Sequence, residues 1–260
     1  MRSAELFDVS GKVALVTGGS RGIGEAAASA LVRGGARVYI TARKAEVCDA
    51  TAARLSEHGA CISLPGDLSR MADIEALAAE VSGREEKLDI LVNNAGAAWA
   101  EPLDQYSEAG WDKVMDLDLK SVFFLTQKLL PRLRAAASPE SPARVINIGS
   151  VDGIGVPLTD SFAYAAAKAG LHHLTRMLSQ RLAAEHIAVN AIAPGPFPTK
   201  MMSATLATRS DEILAAVPLG RVGAPDDIAG AVLFLSSRAS AYVTGAVLPL
   251  DGGLVAALGH

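Results

Sequence analysis

The alternation of short apolar segments with longer helical patterns is the feature that most constrains the fold of this chain. Segments rich in Val, Ile and Leu recur from residue 13 to residue 250, and a helical pattern separates most of them. Such alternation is typical of a mostly parallel sheet with right-handed crossovers. Half of the residues are hydrophobic and only 5% are aromatic, as expected for strands buried under helices on both faces. We therefore predict an α/β fold with a doubly wound parallel sheet in three layers.

The pattern places seven strands and six helices along the chain. The predicted strands are residues 13–17, 37–41, 61–64, 88–92, 144–148, 187–192 and 246–250. The predicted helices are residues 22–32, 45–58, 71–82, 110–134, 162–186 and 227–237. No linker interrupts them, so we expect a single domain over residues 1–260.

Residues 194–225 break the strand–helix rhythm. Their opening, Pro194-Gly195-Pro196, is not expected to continue a strand. A long insertion in a compact domain is usually functional or mobile. We expect this segment to form a substrate lid.

Charge and composition argue against several classes of partner. The net charge of the 260 residues is -4 and no basic cluster is present, so a nucleic-acid partner is not expected. No apolar run is long enough to span a bilayer, and the first five residues lack the apolar core of a signal peptide. We expect a soluble cytoplasmic protein without a membrane partner.

The residues that most often bind metals are few and scattered. Cys48 and Cys61 do not have the spacing of metal ligands, and we expect free thiols. His172 and His173 have no evident third ligand, so we place them at a helix or subunit surface. No metal site is predicted.

A glycine-rich turn follows the first predicted strand. It reads Thr17-Gly18-Gly19-Ser20-Arg21-Gly22-Ile23-Gly24 and opens the first long helix. A nucleotide pyrophosphate needs backbone N–H donors at close approach and a helix N-terminus. Glycines here allow a tight turn, room for phosphates and close helix packing. This context favours a dinucleotide site over a turn without a ligand.

The chain resembles the short-chain dehydrogenase/reductase family. The resemblance is carried by the glycine spacing, by Asn93-Asn94-Ala95-Gly96 and by Tyr164-x-x-x-Lys168, and it extends from about residue 9 to residue 253. Within the family the chain is most similar to 3-oxoacyl-[acyl-carrier-protein] reductases of the rhamnolipid-biosynthesis type, through residues 142–150 and 195–198. The resemblance implies a Rossmann-type fold and an NADP-dependent oxidoreductase.

The choice between NADPH and NADH can be argued from charge. An acidic residue at the end of the second strand would bind the ribose 2′-OH and repel a 2′-phosphate. Ala42 occupies that position, Arg43 follows it, and Arg21 lies in the glycine turn. Guanidinium groups suit a phosphate. We predict NADP(H), the alternative being that the two arginines are solvated surface charges.

The resemblance implies further cofactor contacts. Asp67 matches the position that contacts adenine, although it could instead cap a helix. Asn93 is expected to line the cofactor site. The full predicted cofactor set is Gly18, Ser20, Arg21, Gly22, Ile23, Gly24, Arg43, Asp67, Leu68, Asn94, Ala95, Gly96, Tyr164, Lys168, Pro194 and Gly195.

Three residues have the chemistry of carbonyl reduction. Tyr164 and Lys168 are four apart on a predicted helix and share one face. A nearby cation favours the phenolate, so Lys168 would help Tyr164 act as general acid. Ser150 follows the fifth strand, and its hydroxyl can polarise a carbonyl. Each residue alone could be structural, as a core aromatic, a solvated charge or a cap.

Asp118 departs from the family pattern. The family usually has an asparagine at this position, and its side chain helps to hold a water chain that leads to the lysine. An ionised aspartate accepts hydrogen bonds and donates none. It would place a negative charge near Lys168 and weaken its effect on Tyr164. We predict a raised Tyr164 pKa and a slower or alkaline-shifted enzyme; the alternative is that Asp118 simply keeps the water.

The sequence leaves three functions open. The first is reduction of a 3-oxoacyl thioester carried on acyl carrier protein or coenzyme A. The second is reduction of another ketone, a sugar acid or a polyol precursor, and the third is a nucleotide-sensing protein with weak activity. Apolar residues of the expected lid suit an acyl chain, and basic ones could meet an acidic carrier. The apolar set is Met201, Met202, Leu206, Ile213 and Leu214, and the basic set is Lys200, Arg209 and Arg221.

The C-terminal segment Asp251-Gly252-Gly253 resembles the family ending that lies near subunit interfaces. A homotetramer is implied by this resemblance.

Overall fold

The computed structural model describes residues 3–257. Residues 1, 2 and 258–260 lie outside this range. The expectations about the first five residues and about the limits of the domain therefore fall partly outside the described residues. None of the helices in the described range is both long and apolar enough to cross a membrane.

Seven parallel strands form one sheet in the order β3-β2-β1-β4-β5-β6-β7. This order reverses direction beside β1, so the predicted doubly wound parallel sheet is confirmed. The strands are β1 (Val13–Thr17), β2 (Arg37–Thr41), β3 (Cys61–Ser63), β4 (Ile90–Asn93), β5 (Ala143–Ile148), β6 (Ile187–Pro194) and β7 (Val247–Leu250).

Helices cover both faces of the sheet. In chain order they are α1 (Ser3–Leu6), α2 (Gly22–Arg33), α3 (Ala45–Leu55), α4 (Met71–Arg84), α5 (Glu108–Met115), α6 (Ser121–Ala136), α7 (Phe162–Leu182), α8 (Ser203–Ala216), α9 (Pro225–Ser236) and α10 (Leu254–Ala257). Side chains from α2, α3 and α9 pack in one hydrophobic core. Side chains from α4, α6 and the end of α7 pack in the other.

The strand β1 shows how a short sequence supplies both cores. Ala14 and Val16 belong to the core under α2, whereas Val13 and Leu15 belong to the opposite core. Successive side chains of a strand point to opposite faces, so an uninterrupted apolar segment is required when both faces are covered. Fully burying a Val or Leu side chain stabilises the fold by roughly 1.5–3 kcal/mol.

The predicted long helix over residues 110–134 is confirmed, and it contains a π-helical turn that the sequence pattern did not predict. The chain begins α5 at Glu108, with the Ser107 hydroxyl accepting from the Gly110 N–H. It then forms a π-helical turn over Asp116–Lys120 before α6 starts at Ser121. A π-turn adds a residue to the helical repeat and is common at functional sites.

The 194–225 segment also differs from the expectation. Pro194 is the last residue of β6, in register with Leu250, so the proline does continue the strand. The last residue of a strand can do without an N–H, and the next donor, the Gly195 N–H, bonds to the Leu250 carbonyl. The segment is not irregular throughout, because it contains α8, which is kinked at Arg209.

Candidate active site

A cavity of about 700 Å³ opens at the carboxyl ends of the central strands. This is the edge where open α/β sheets bind ligands. Every residue of the predicted cofactor and catalytic sets lines this cavity. We call residues 17–24 the glycine turn, and Ser150, Tyr164, Lys168 and Asp118 the reactive cluster.

The glycine turn is held by Asn94. The Asn94 side-chain amide donates to the carbonyl oxygens of Thr17, at 2.8 Å, and Gly18, at 3.2 Å. Gly18 has a φ of +63°, and a Cβ there would lie 2.7 Å from the Asn94 amide nitrogen. A Cβ at Gly24 would overlap both the Asn94 amide and the Gly18 carbonyl oxygen. Glycine at both positions is therefore needed for this packing.

The N-terminus of α2 is suited to an anion. Arg21 occupies the N-cap position and makes no side-chain cap, so no side chain of the cap residue satisfies the N–H groups of the first turn. The helix dipole places roughly half a positive charge at this end. These donors face the cavity and match the needs of a pyrophosphate.

The region beyond β2 fits a further phosphate. Arg21 and Arg43 both line the cavity, are exposed, and have no carboxylate partner among residues 3–257. The buried Thr41 hydroxyl also lines it and has no hydrogen-bond partner in the described part of the chain. The two cations and this hydroxyl are a donor set that a 2′-phosphoribose would satisfy.

Asp67 does not cap α4, whose N-cap residue is Arg70. Its Oδ1 accepts from the Ser69 hydroxyl at 2.8 Å and from the Ser69 N–H at 3.2 Å. The Asp67 N–H donates to Asp73. Asp67 is thus part of a local turn that faces the cavity.

The expectation that Asn93 lines the cofactor site is wrong. Its side chain is 2% exposed and donates to Asn147 at 2.9 Å and to Thr126 at 3.3 Å, beneath the cavity floor. Alternate residues of a strand face opposite sides, so the neighbouring Asn94 faces the cavity instead.

Ser150 and Tyr164 are brought to the same wall by β5 and α7. Ser150 follows β5 and begins a 3₁₀ turn over Val151–Gly153, and its Oγ accepts from the Asp152 N–H at 3.1 Å. Tyr164 lies in the first turn of α7 and faces the same cavity. Ser150 therefore caps the 3₁₀ turn, and it also lines the cavity.

Lys168 is buried and held from two sides. Its Nζ donates to the Ile148 carbonyl at 2.9 Å and forms an ion pair with Asp118 at 3.1 Å. It lies 5.4 Å from the centre of the Tyr164 ring. One lysine N–H therefore remains for another acceptor, because an ammonium group has three.

Asp118 is fully buried in the π-turn. Its Oδ1 accepts from the Ala97 N–H at 2.7 Å, and its Oδ2 pairs with Lys168. A Cβ at Gly96 would come within 2.9 Å of Oδ2, so glycine there makes room for the carboxylate. The aspartate thus contacts the lysine directly.

The charges in the reactive cluster act on one another. Burial raises the pKa of Tyr164 above its ordinary value; Lys168 opposes this effect and the Asp118 carboxylate adds to it. Burial also raises the pKa of Asp118, against the effect of Lys168. Burial lowers the pKa of Lys168, but the negative charges of Asp118 and Tyr164 outweigh it and the pKa is raised.

His172 is not at a surface, contrary to the expectation. It is 2% exposed and packs under the Ser150 turn, where Gly149 and Gly153 leave space for its ring. Burial lowers its pKa to about 4, so the imidazole is neutral near pH 7. His173 is exposed, as expected.

Both cysteines are buried and free. Burial raises the pKa of Cys61 to about 11, which makes this thiol unreactive at neutral pH.

The residues expected in the lid are only partly in the cavity wall. Met201, Met202 and Ile213 line it, whereas Leu206 and Leu214 do not. Of the basic residues, Lys200 and Arg209 line it. Arg221 lies outside the cavity wall and pairs with Asp227.

Several cavity residues were missed by sequence reasoning, among them Lys113, Trp99 and Asp152. Lys113 on α5 lies over the Trp99 ring, with Nζ 4.3 Å from its centre, and both line the cavity. No sequence motif marks either of them. Asp152 also lines the cavity, and its position two residues after Ser150 could have indicated this.

Comparison with known proteins defines the class. Residues 18–255 match the family described as enoyl-(acyl carrier protein) reductase. The chain belongs to the short-chain dehydrogenase/reductase family of oxidoreductases.

Among its relatives is the rhamnolipids biosynthesis 3-oxoacyl-[acyl-carrier-protein] reductase of Pseudomonas aeruginosa, 49% identical over 95% of this chain and 97% of that protein. Another is the 2-dehydro-3-deoxy-D-gluconate 5-dehydrogenase of Dickeya dadantii, 37% identical over 96% of this chain and 98% of that protein. A solved structure, the Pseudomonas aeruginosa RhlG/NADP active-site complex, superposes with a TM-score of 0.93 at 48% identity and covers 98% of this chain and 100% of that one.

Proposed function

We propose that this protein reduces the ketone of a 3-oxoacyl thioester to an alcohol with NADPH. The observation that carries the proposal is the placement of Ser150, Tyr164 and Lys168 in one cavity with the glycine turn. The similarity to a 3-oxoacyl-[acyl-carrier-protein] reductase at 49% identity supports it.

NADPH, when bound, supplies the hydride for the reduction. The first turn of α2 would hold its pyrophosphate, and Arg43 with Arg21 its 2′-phosphate. Asp67 and Leu68 would contact the adenine, and Pro194 and Gly195 would bound the nicotinamide end. Asn94, Ala95 and Gly96 would line the path between them. The uncapped helix, the unpaired arginines and the unpartnered Thr41 hydroxyl fit this cofactor.

The reactive cluster divides the work of proton transfer. Ser150 donates a hydrogen bond to the substrate carbonyl oxygen and stabilises the developing alkoxide. Tyr164 gives its phenolic proton to that oxygen and becomes a phenolate. Lys168 stabilises the phenolate through its positive charge. Asp118 and the Ile148 carbonyl orient Lys168, which leaves its third N–H for the ribose hydroxyls.

The rest of the cavity suits a carried acyl chain. Met201, Met202 and Ile213 supply apolar contact, and we propose that residues 194–225 close over the substrate as a lid within a single domain. Lys113 and Lys200 line the cavity and have no carboxylate partner in the described range, which suits the anionic groups of coenzyme A or acyl carrier protein. We further propose a cytoplasmic homotetramer.

A ketone of the sugar-acid type is the second candidate, supported by the similarity to the 2-dehydro-3-deoxy-D-gluconate 5-dehydrogenase of Dickeya dadantii. A sensing role without catalysis is less well supported, because Ser150, Tyr164 and Lys168 are all present in the cavity.

The deciding experiment follows oxidation of NADPH and of NADH with acetoacetyl-coenzyme A, crotonyl-coenzyme A and a panel of sugar-acid ketones. Turnover of acetoacetyl-coenzyme A with NADPH, abolished in Tyr164→Phe, is the expected result. Faster turnover of crotonyl-coenzyme A would indicate reduction of a double bond, and faster turnover of the sugar-acid ketones would favour the second candidate. Light scattering on the purified protein would measure the oligomeric state.

A further inference from the structure

Asp152 is a charged side chain beside the reactive cluster that the mechanism above does not use. It lies two residues after Ser150, and its backbone N–H donates to the Ser150 Oγ. Its side chain is half-buried and lines the cavity. No hydrogen bond or ion pair of its carboxylate occurs within residues 3–257.

None of the cations that line the cavity forms an ion pair with Asp152 within residues 3–257. Lys168 is committed to Asp118 and the Ile148 carbonyl, and Arg209 is paired with Glu212. Lys113 lies over Trp99. Burial raises the pKa of Asp152 with no charged partner to oppose it, and its charge acts on Tyr164 in the same direction as that of Asp118.

The cavity that Asp152 lines also has apolar side chains in its wall. Val156, Leu158 and Phe197 line the same cavity. An unpaired carboxylate is unfavourable in such a place, because burial removes its hydration. An unpaired carboxylate in a binding cavity selects against ligands with a negative charge nearby, because like charges at close range repel strongly.

We propose that Asp152 is a specificity-determining residue that excludes ketones carrying a negative charge next to the reacting carbonyl. A thioester or ester is neutral at that position, whereas a free 3-oxo acid places its carboxylate close to the carbonyl that Ser150 and Tyr164 hold. The substrate class is thus a ketone whose flanking groups are uncharged, with any anionic groups far away at the cavity rim. This inference rests on the proposed function and narrows it to ketones whose carbonyl is flanked by uncharged groups, as it is in a 3-oxoacyl thioester.

The test compares two small ketones that differ mainly in charge, acetoacetate and ethyl acetoacetate. Wild type, Asp152→Asn and the control Asp160→Asn are assayed with NADPH. Asp160 lies on the same loop, is exposed and does not line the cavity. In Asp152→Asn we expect the ratio of kcat/KM for acetoacetate to that for ethyl acetoacetate to rise about tenfold or more. The control should keep the wild-type ratio.

Binding separates this inference from the proposed function. Calorimetric titration of the NADP-loaded protein with the same two ketones measures charge selection without turnover. If neither ketone nor acetoacetyl-coenzyme A is reduced but Asp152→Asn still binds acetoacetate more tightly relative to the ester, the proposed function is wrong and the charge selection stands. An unchanged ratio in both binding and turnover, with Asp152→Asn still folded by thermal melting, would overturn the role of Asp152.

Discussion

The glycine turn and the reactive cluster lie in the same cavity, but the chain builds them in different ways. The glycine turn is contiguous, residues 17–24, and its form depends on the absence of side chains at Gly18 and Gly24. The reactive cluster joins the π-turn, the end of β5 and the first turns of α7, so the ion pair between Asp118 and Lys168 spans fifty residues of sequence. The first is a matter of local backbone geometry and the second of long-range packing.

This difference predicts different responses to substitution. Changes in the glycine turn should reduce NADPH binding and stability together, because backbone and ligand share the same space. Changes in the reactive cluster other than at Lys168, which would also hold the ribose hydroxyls, should alter the rate or its pH dependence while NADPH binding is largely kept.

The largest effect is expected for Tyr164→Phe. Removing the phenolic proton should lower kcat about 1,000-fold, within the usual contribution of general acid catalysis. The Kd for NADPH, measured by fluorescence titration, should stay within about threefold of wild type. The exposed Tyr242, which is not in the cavity wall, supplies the control Tyr242→Phe. A Tyr164→Phe enzyme with near-normal kcat would remove Tyr164 from the mechanism.

The next largest effect is expected for Gly24→Ala. The added methyl group would overlap the Gly18 carbonyl and the Asn94 amide, so we expect a loss of about 1–3 kcal/mol of stability. The Kd for NADPH should rise about 100-fold, corresponding to about 2.7 kcal/mol.

Gly83→Ala is the matched control for that substitution. Gly83 lies in α4, where a new Cβ meets nothing within 4 Å. Alanine is the better helix former, so stability should stay equal or rise by up to about 1 kcal/mol. Thermal melting with and without NADPH measures both variants. Equal behaviour of the two would mean that the close packing at Gly24 has no role.

A smaller effect is expected for Arg43→Ala. Losing charge-assisted hydrogen bonds worth about 1.5–3 kcal/mol should reduce the preference for NADPH over NADH by about 10- to 100-fold. The adjacent Lys44 is exposed and does not line the cavity, so Lys44→Ala should leave the preference unchanged. The measurement is kcat/KM with each cofactor. If both variants lose preference equally, general surface charge rather than a specific contact selects the cofactor.

The smallest effect on rate, and the most specific for the reactive cluster, is expected for Asp118→Asn. The Asp118 charge raises the pKa of Tyr164, so its removal should lower that pKa. Alcohol oxidation, the reverse reaction, requires the phenolate. The pH at which its rate rises should therefore be roughly one unit lower in Asp118→Asn than in wild type.

Asp116→Asn is the control for this shift. Asp116 lies in the same π-turn but pairs with Lys120 at the surface, where an ion pair contributes little. Its pH profile should match that of wild type. Superimposable profiles for all three enzymes would show that the Asp118 charge does not reach Tyr164.

The order of strands and helices could be predicted because it depends on local periodicity. Strands buried on both faces need uninterrupted apolar residues, as in Val13–Thr17, and helices need a repeat near 3.6. Errors fell where local and tertiary preferences disagree. Pro194 can end a strand because proline lacks only the backbone N–H, which the last residue of a strand does not need. The helix α8 forms further along the chain, although the segment opens with two prolines.

The membership of the site could also be predicted, because the carboxyl ends of parallel strands meet at one edge. The sequence by itself determined the doubly wound fold, the glycine turn and the cofactor and catalytic residues that line the cavity, but not Lys113, Trp99 or Asp152. The fold and the glycine turn follow from nearby residues, through periodicity and backbone freedom, whereas several of the site residues were implied by the family resemblance.

Only the tertiary structure decided how those side chains face one another. The π-turn that places Asp118 against Lys168 has no local signal, because residues 110–134 have an ordinary helical pattern. The same holds for Asn93, which joins Asn147 across two strands, and for His172, which fills the space left by two glycines. These arrangements depend on which distant groups share a buried space, and that is set when the whole sheet and its helices pack together.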